Sequence, residues 1–270
     1  MRKALVAASM LIAALPAMAQ ESAAPDPCAA GTRAGFDVVS IKPSQTSSRS
    51  SSMNGTPDGI VFTGSLRRMI LRGFALHDFQ VSGGPDWVST ATWVVSAKDD
   101  TPGPEFSKSS RAELQAQFDK RMQQVRSLLM DRFQLKCHVT AKELPVYELV
   151  QAKGGAKLKP TTAEPSKQNS DSSDSRGLQM HNAAVGVTSA RIASLLTNEV
   201  DRMVVDKTGL TGSYDLTLDW VHDAPAGSTD APTGPTIFTA LEEQLGLKLV
   251  PAKGPVPVLT IDSVEKPSEN

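Results

Sequence analysis

The chain has little of the chemistry that announces an enzyme. Its 270 residues include two cysteines, Cys28 and Cys137, and four scattered histidines, His77, His138, His181 and His222. No His-Glu-x-x-His occurs and no histidine pair has ligand spacing, so no metal is expected. There is no Gly-x-Ser-x-Gly elbow and no glycine-rich phosphate loop, so no cofactor is expected either. Aromatic residues make up 5%, which argues against a sugar-binding surface paved with rings. Charge is balanced, with 28 Lys and Arg against 29 Asp and Glu, so nothing in the composition attracts nucleic acid or an anionic lipid surface.

Long apolar runs are also missing beyond the N-terminus. There, Arg2 and Lys3 precede Ala4–Leu15, and Ala17-Met18-Ala19 supplies small residues for cleavage. Residues 1–19 therefore read as a secretory signal peptide. The apolar run falls short of the roughly 20 residues a bilayer span takes, and no Cys follows the cleavage point to carry a lipid. The mature chain is expected to be exported to the periplasm or beyond, without a membrane span, starting with a flexible tail over 20–35. In an oxidising compartment the two cysteines can pair. Alternation along Leu135-Lys136-Cys137-His138-Val139, however, reads Cys137 as a small buried hydrophobe, and Cys28 lies in the tail.

What is present is a repeat. Shifted by 112 positions, the 26 residues from Val125 lie without a gap over those from Ile237. Five pairs are identical: Leu129/Leu241, Leu135/Leu247, Lys136/Lys248, Pro145/Pro257 and Val146/Val258. Period and caps predict helices over 65–74, 111–132, 189–200 and 236–245. Ser110-Arg111-Ala112-Glu113 is a capping box, and Gly246 closes the last helix. Leu114, Phe118, Met122, Val125 and Leu129 form one stripe on the long helix. Leu66, Met69, Ile70 and Phe74 match Ile192, Leu195, Leu196 and Val200 at an offset of 126.

Strands are expected at 36–41, 60–63, 92–97, 135–139, 146–152, 203–205, 214–220, 247–250 and 258–264, with a turn inside each 135–152 and 247–264 unit. The expected core includes Leu129, Leu135, Cys137, Val146, Leu195, Leu196, Leu241, Leu247 and Val258. The fold class predicted is α+β, an internally duplicated pair of helix-on-antiparallel-sheet lobes in A-B-A-B order. The first lobe covers 36–160, a Ser-rich linker 161–177, and the second lobe 178–270, with a cleft at their pseudo-symmetric junction.

Several stretches together carry a resemblance: Phe36–Ser44, Gly83-Gly84-Pro85-Asp86-Trp87, Leu129–Lys142 with Leu144-Pro145-Val146-Tyr147, Val205–Asp215 and the closing Val264–Asn270. They resemble the soil-associated family of exported proteins of unknown function, expanded in acidobacteria. Related domains lie behind BlaR/MecR-type membrane metallopeptidases, which implies a sensor-like role. The family has no agreed activity, so the resemblance implies no catalytic residue. Gly73-Phe74-Ala75-Leu76 departs from it where an Ala-Tyr pair is expected.

Two motifs invite chemistry and do not support it. Asp206-Lys207-Thr208-Gly209 opens like a P-type ATPase phosphorylation motif, but Leu210 stands where a Thr is required. Lys207-Thr208-Gly209 also occurs in penicillin-recognising enzymes, but Ser263-Val264-Glu265-Lys266 follows it instead of preceding it. The predicted role is structural: Asp206, Gly209 and Gly212 form a tight connection into the strand at Tyr214. Gly83, Gly84 and Pro85 form a second turn that presents Asp86 and Trp87. The candidate binding residues are Asp86, Trp87, Asp215 and Trp220.

The expected function is a non-enzymatic binding or sensor-like domain, with a small molecule, a cell-wall fragment or an envelope protein as partner. Two alternatives stand beside it. One is a hydrolase whose carboxylates, for instance Asp86, Asp215 and Asp219, converge only in the fold. The other is a structural envelope protein that uses exposed strand edges.

Overall fold

The computed structural model describes Cys28 and residues 35–45, 50–100, 103, 109–164, 167–176, 178–222 and 233–267. The signal segment 1–19 and most of the tail over 20–35 lie outside the described residues. The fold is α+β, with three four-stranded sheets. In the first, β1 (Val38–Pro43), β5 (Thr92–Lys98), β3 (Gly59–Ser65) and β2 (Ser52–Thr56) lie side by side, all antiparallel. In the second, the order is β7 (Lys159–Pro160), β11 (Tyr214–Val221), β9 (Gln179–Val187) and β8 (Ser170–Arg176). The third runs β10 (Val204–Asp206), β6 (Lys136–Gln151), β12 (Leu247–Ser263) and β4 (Val81–Gly83).

Helices connect these strands in one order twice. In the first half, α1 (Leu66–Gly73) follows β3, the single turn α2 (Trp87–Thr90) follows β4, and α3 (Arg111–Arg132) precedes β6. In the second half, α4 (Ser189–Thr197) follows β9, and α5 (Ile237–Ala240) continues as a π turn, Leu241–Leu245, into β12. The halves exchange a strand: β4 pairs in parallel with β12, and β10 with β6. The exchange has one register. Val81 faces Leu259 and Val204 faces Tyr147, and those two partners are 112 positions apart.

The first helices correspond differently from the sequence reading. Ser65 caps α1 by accepting the Arg68 N–H, and Thr188 caps α4 by accepting the Arg191 N–H. Those caps are 123 positions apart, so Met69, not Leu66, matches Ile192. A slip of about one turn is invisible to a 3.6-residue apolar period, whereas a cap is unique.

The central strands also correct the reading. β6 and β12 pair along nearly their whole length, with no turn at 140–145 or 251–257. The prolines that suggested turns, Pro145, Pro251, Pro255 and Pro257, all have odd numbers. Odd residues of β6 direct their backbone groups away from β12: the Tyr147 N–H donates to the Met203 carbonyl, and the Leu149 carbonyl accepts from Lys207. A proline at such a position removes no bond from the central ladder. The Ser-rich segment over 161–177 is likewise not all linker, because Ser170–Arg176 forms β8 against β9. Neither β2 nor β8 has an apolar alternation, and the hairpin partner supplies the order.

Two main cores result. One gathers α1, α3, the first sheet and the β12 residues Leu259 and Ile261; the other gathers α4, α5, β9, β11 and the C-terminal end of β6. Where β6 and β12 of the two halves meet, Val146, Val256 and Val258 form a small packed cluster. Of the predicted core, Cys137 and Leu195 are only half-buried. Cys137 is bonded to Cys28, so it is a disulfide partner and not a free buried thiol.

Candidate ligand groove

The apolar stripe of α3 is longer than the core it serves. Val125 and Leu129 are fully buried and Met122 nearly so, but Leu114 is half-buried and Phe118 is 57% exposed. The helix starts early because its cap is complete: the Ser110 side chain accepts the Glu113 N–H, and the Glu113 carboxylate accepts the Ser110 N–H at 2.7 Å. That backbone bond, with the Ser110 hydroxyl, holds the Glu113 carboxyl below its usual pKa. The first turns of α3 thus project beyond the core. They face Met53 and Thr56 of the β2–β3 hairpin, Ile60 of β3, and Arg72 and Ala75 at the end of α1. The hollow between them measures about 480 Å³, within the range of about 300–1,000 Å³ typical of small-molecule sites.

Its polar groups divide into satisfied and unsatisfied. Arg121 is buried and committed: it donates to Asp99 at 3.1 Å, to Gln124 at 3.2 Å and to the Pro57 carbonyl at 3.3 Å. Gln124 donates to Asp99 at 2.6 Å, so the network ties α3 to the end of β5. Such a buried ion pair is costly unless its remaining bonds are filled, as they are here. Gln117 is different. Both polar atoms of its carboxamide are buried and have no hydrogen-bond partner among the described residues. Gly103 makes room for it, since a Cβ there would lie 2.4 Å from Gln117 Nε2. Arg72 is exposed and has no ion pair among the described residues. No Asp or Glu among the described residues lines the groove.

The structure does not gather the four residues picked from the sequence. Asp86 is exposed at the start of α2, and its side chain makes no capping bond. Trp87 is half-buried, packs on the first core and lies under the Lys266 ammonium at 5.9 Å. The turn before them is set by Gly83 and Gly84, at φ +80° and +79°, followed by Pro85. At Gly83 a Cβ would come within 2.8 Å of the Ile261 carbonyl oxygen. In the other half, Asp215 accepts the Gly186 N–H at 2.9 Å, which ties β11 to β9. Trp220 is 4% exposed in the second core, edge-on to His222 at 4.4 Å. Asp206 accepts the Thr208 N–H and hydroxyl at 2.9 and 2.8 Å, and Gly209 and Gly212 have φ of +68° and +105°.

The carboxylates proposed for hydrolysis are apart as well. Asp219 bonds His181 Nδ1 at 2.6 Å, in a cross-strand row with Asp174. The row lies on an open sheet face where the His181 and Asp219 side chains are more than half exposed, without the water exclusion that strengthens a catalytic dyad. Among the described residues no group of three His, Cys, Asp or Glu is placed to hold a metal. Sequence reasoning missed Met53, Arg72 and Gln117. The one signal for the groove was the α3 stripe, which begins four residues before Phe118 and has no core left to fill.

A family model described as "Protein of unknown function (DUF3738)" matches residues 67–264, and the chain belongs to that family. No curated protein and no solved structure matches it.

Proposed function

We propose that this member of the DUF3738 family is an exported, non-enzymatic binding or sensor-like domain that takes a small ligand into the groove between α3 and the β2–β3 hairpin. The observation that carries this reading is the groove itself: an apolar hollow of small-molecule size with an exposed Phe118 and an exposed Arg72 that has no ion pair among the described residues. An exposed apolar ring on the wall of such a hollow is surface that a ligand would cover. Export is supported by the signal segment at 1–19 and by the Cys28–Cys137 disulfide, since such bonds persist in oxidising compartments. The periplasm or the exterior is the proposed location. The resemblance to soil-associated acidobacterial proteins and to domains behind membrane peptidases supports a sensor-like role.

The matching element order of the two halves supports descent by duplication, with one groove kept for binding. The hydrolase reading loses support because Asp86, Asp215 and Asp219 serve separate local structures. A thermal-shift screen of the mature, oxidised protein against cell-wall fragments, sugars, peptides and apolar small molecules tests the proposal. A compound class that raises the melting temperature of the native chain but not of Phe118→Asp supports it. Equal shifts in both proteins, or no shift with any class, overturn it.

A further inference from the structure

Resting on that reading, we infer that the groove selects an amphiphilic anion, an apolar chain or ring ending in a carboxylate. Its body would lie along Met53, Ile60, Phe118 and Met122, which supply the apolar wall. The head would meet Arg72. This guanidinium is exposed, sits in the last turn of α1 and has no ion pair among the described residues. Arg121, the other cation in the lining, already serves Asp99, Gln124 and the Pro57 carbonyl, so Arg72 is the receptor. A planar guanidinium matches a carboxylate in two parallel hydrogen bonds.

The second half supplies an internal contrast. At the 123-residue offset fixed by the helix caps, Ile60, Arg72 and Ala75 correspond to Ala183, Leu195 and Asn198, and these three line a hollow of about 170 Å³ beside α4. There Leu195 takes the place of Arg72, and Asp171 and Glu199 stand in the lining. The equivalent position is therefore smaller and has no cation in its lining; of its two carboxylates, Asp171 is paired with Arg191 at 2.8 Å. The anion site is a property of the first half alone.

Calorimetric titration of the mature protein with decanoate, decanol and decyltrimethylammonium, each below its micelle concentration, separates the possibilities. Decanoate should bind at one site, at least about tenfold more tightly than either of the others, since one charge-assisted hydrogen-bonded pair is worth that much. Arg72→Gln should remove about tenfold from decanoate affinity and leave decanol unchanged. Phe118→Asp should abolish binding of both. Equal affinities for decanoate and decanol, both lost in Phe118→Asp, overturn the anion selectivity while leaving the groove as a binding site. Binding of decanoate that survives Phe118→Asp, or no saturable binding of any of the three, overturns the inference together with its placement in the groove.

Discussion

Cys28 is bonded to Cys137 across 109 positions of chain, with their Cα atoms 5.5 Å apart. The bond fastens the N-terminal tail to the second residue of β6, at the rim of the first core. Tail and central sheet are thereby covalently joined.

Reduction should therefore cost substantial stability. Closing a loop of about 100 residues restricts the unfolded chain by up to ~4.7 kcal/mol in the chain-entropy account, and native disulfides typically contribute about 2–5 kcal/mol. A Cys28→Ser, Cys137→Ser double variant should lose stability in that range in urea titration. The oxidised native protein should resist thiol alkylation. An unchanged denaturation midpoint would show that the bond does not constrain the chain.

The strand exchange makes a second prediction. Because β4 completes its sheet on β12 and β10 completes its sheet on β6, residues 36–160 and 178–270 each lack a neighbour that only the other supplies. Glu143 faces Pro255 near the middle of the paired strands, so the two fragments also share their longest ladder. Expressed singly, each should give a circular dichroism spectrum without cooperative melting. Co-expressed, they should purify together as a folded pair. A cooperatively melting isolated half would contradict the interlocked topology.

Much of this architecture was legible in the sequence, and the failures have physical causes. α3 could be bounded to the residue because Ser110, Glu113 and a long stripe act together. The 112-residue offset reappears in the structure as the spacing between Tyr147 and Leu259, the partners of the exchanged strands. Turns were expected at Pro145 and Pro257 because a proline's effect depends on which neighbour its missing N–H would have faced, and pairing is not local. The polar strand Ser170–Arg176 has no apolar face to announce it. The groove was legible only as surplus: an apolar stripe reads the same whether it meets a core or a cavity. Arg72 and Gln117 carry no pattern, since their meaning comes from α1, α3 and the hairpin meeting in space.

Core and groove should respond oppositely to mutation. Leu241 is fully buried in the π turn before β12, so Leu241→Ala should cost about 2–5 kcal/mol. Phe118→Ser removes an exposed ring and should change stability by no more than about 0.5 kcal/mol. Urea denaturation of both variants checks the contrast. A large loss at Phe118 would make it a core residue and not a groove wall.

The last prediction concerns Asp206, whose motif most invites a catalytic reading. Burial pushes its carboxyl pKa up, but the nearby Ser189 hydroxyl and the hydrogen bonds from the N–H and hydroxyl of Thr208 outweigh it, and the net value lies below the ordinary 3.8. A depressed folded-state pKa contributes stability that is fully present above the unfolded value and is lost as pH falls through the folded one. Asn keeps an acceptor oxygen but not the charge. Asp206→Asn should therefore cost at most about 1–2 kcal/mol at neutral pH, and its deficit should shrink below about pH 4. Gly209→Val should cost more at every pH. The position holds φ +68° with open space around a new Cβ, so the penalty is backbone conformation alone, roughly 1–2 kcal/mol plus the strain of a β-branched side chain. Denaturation of the three proteins between pH 3 and 7 measures both effects. Incubation with ATP and Mg²⁺ should leave Asp206 unmodified; a hydroxylamine-sensitive phosphate at that residue would make the turn a phosphoryl acceptor instead.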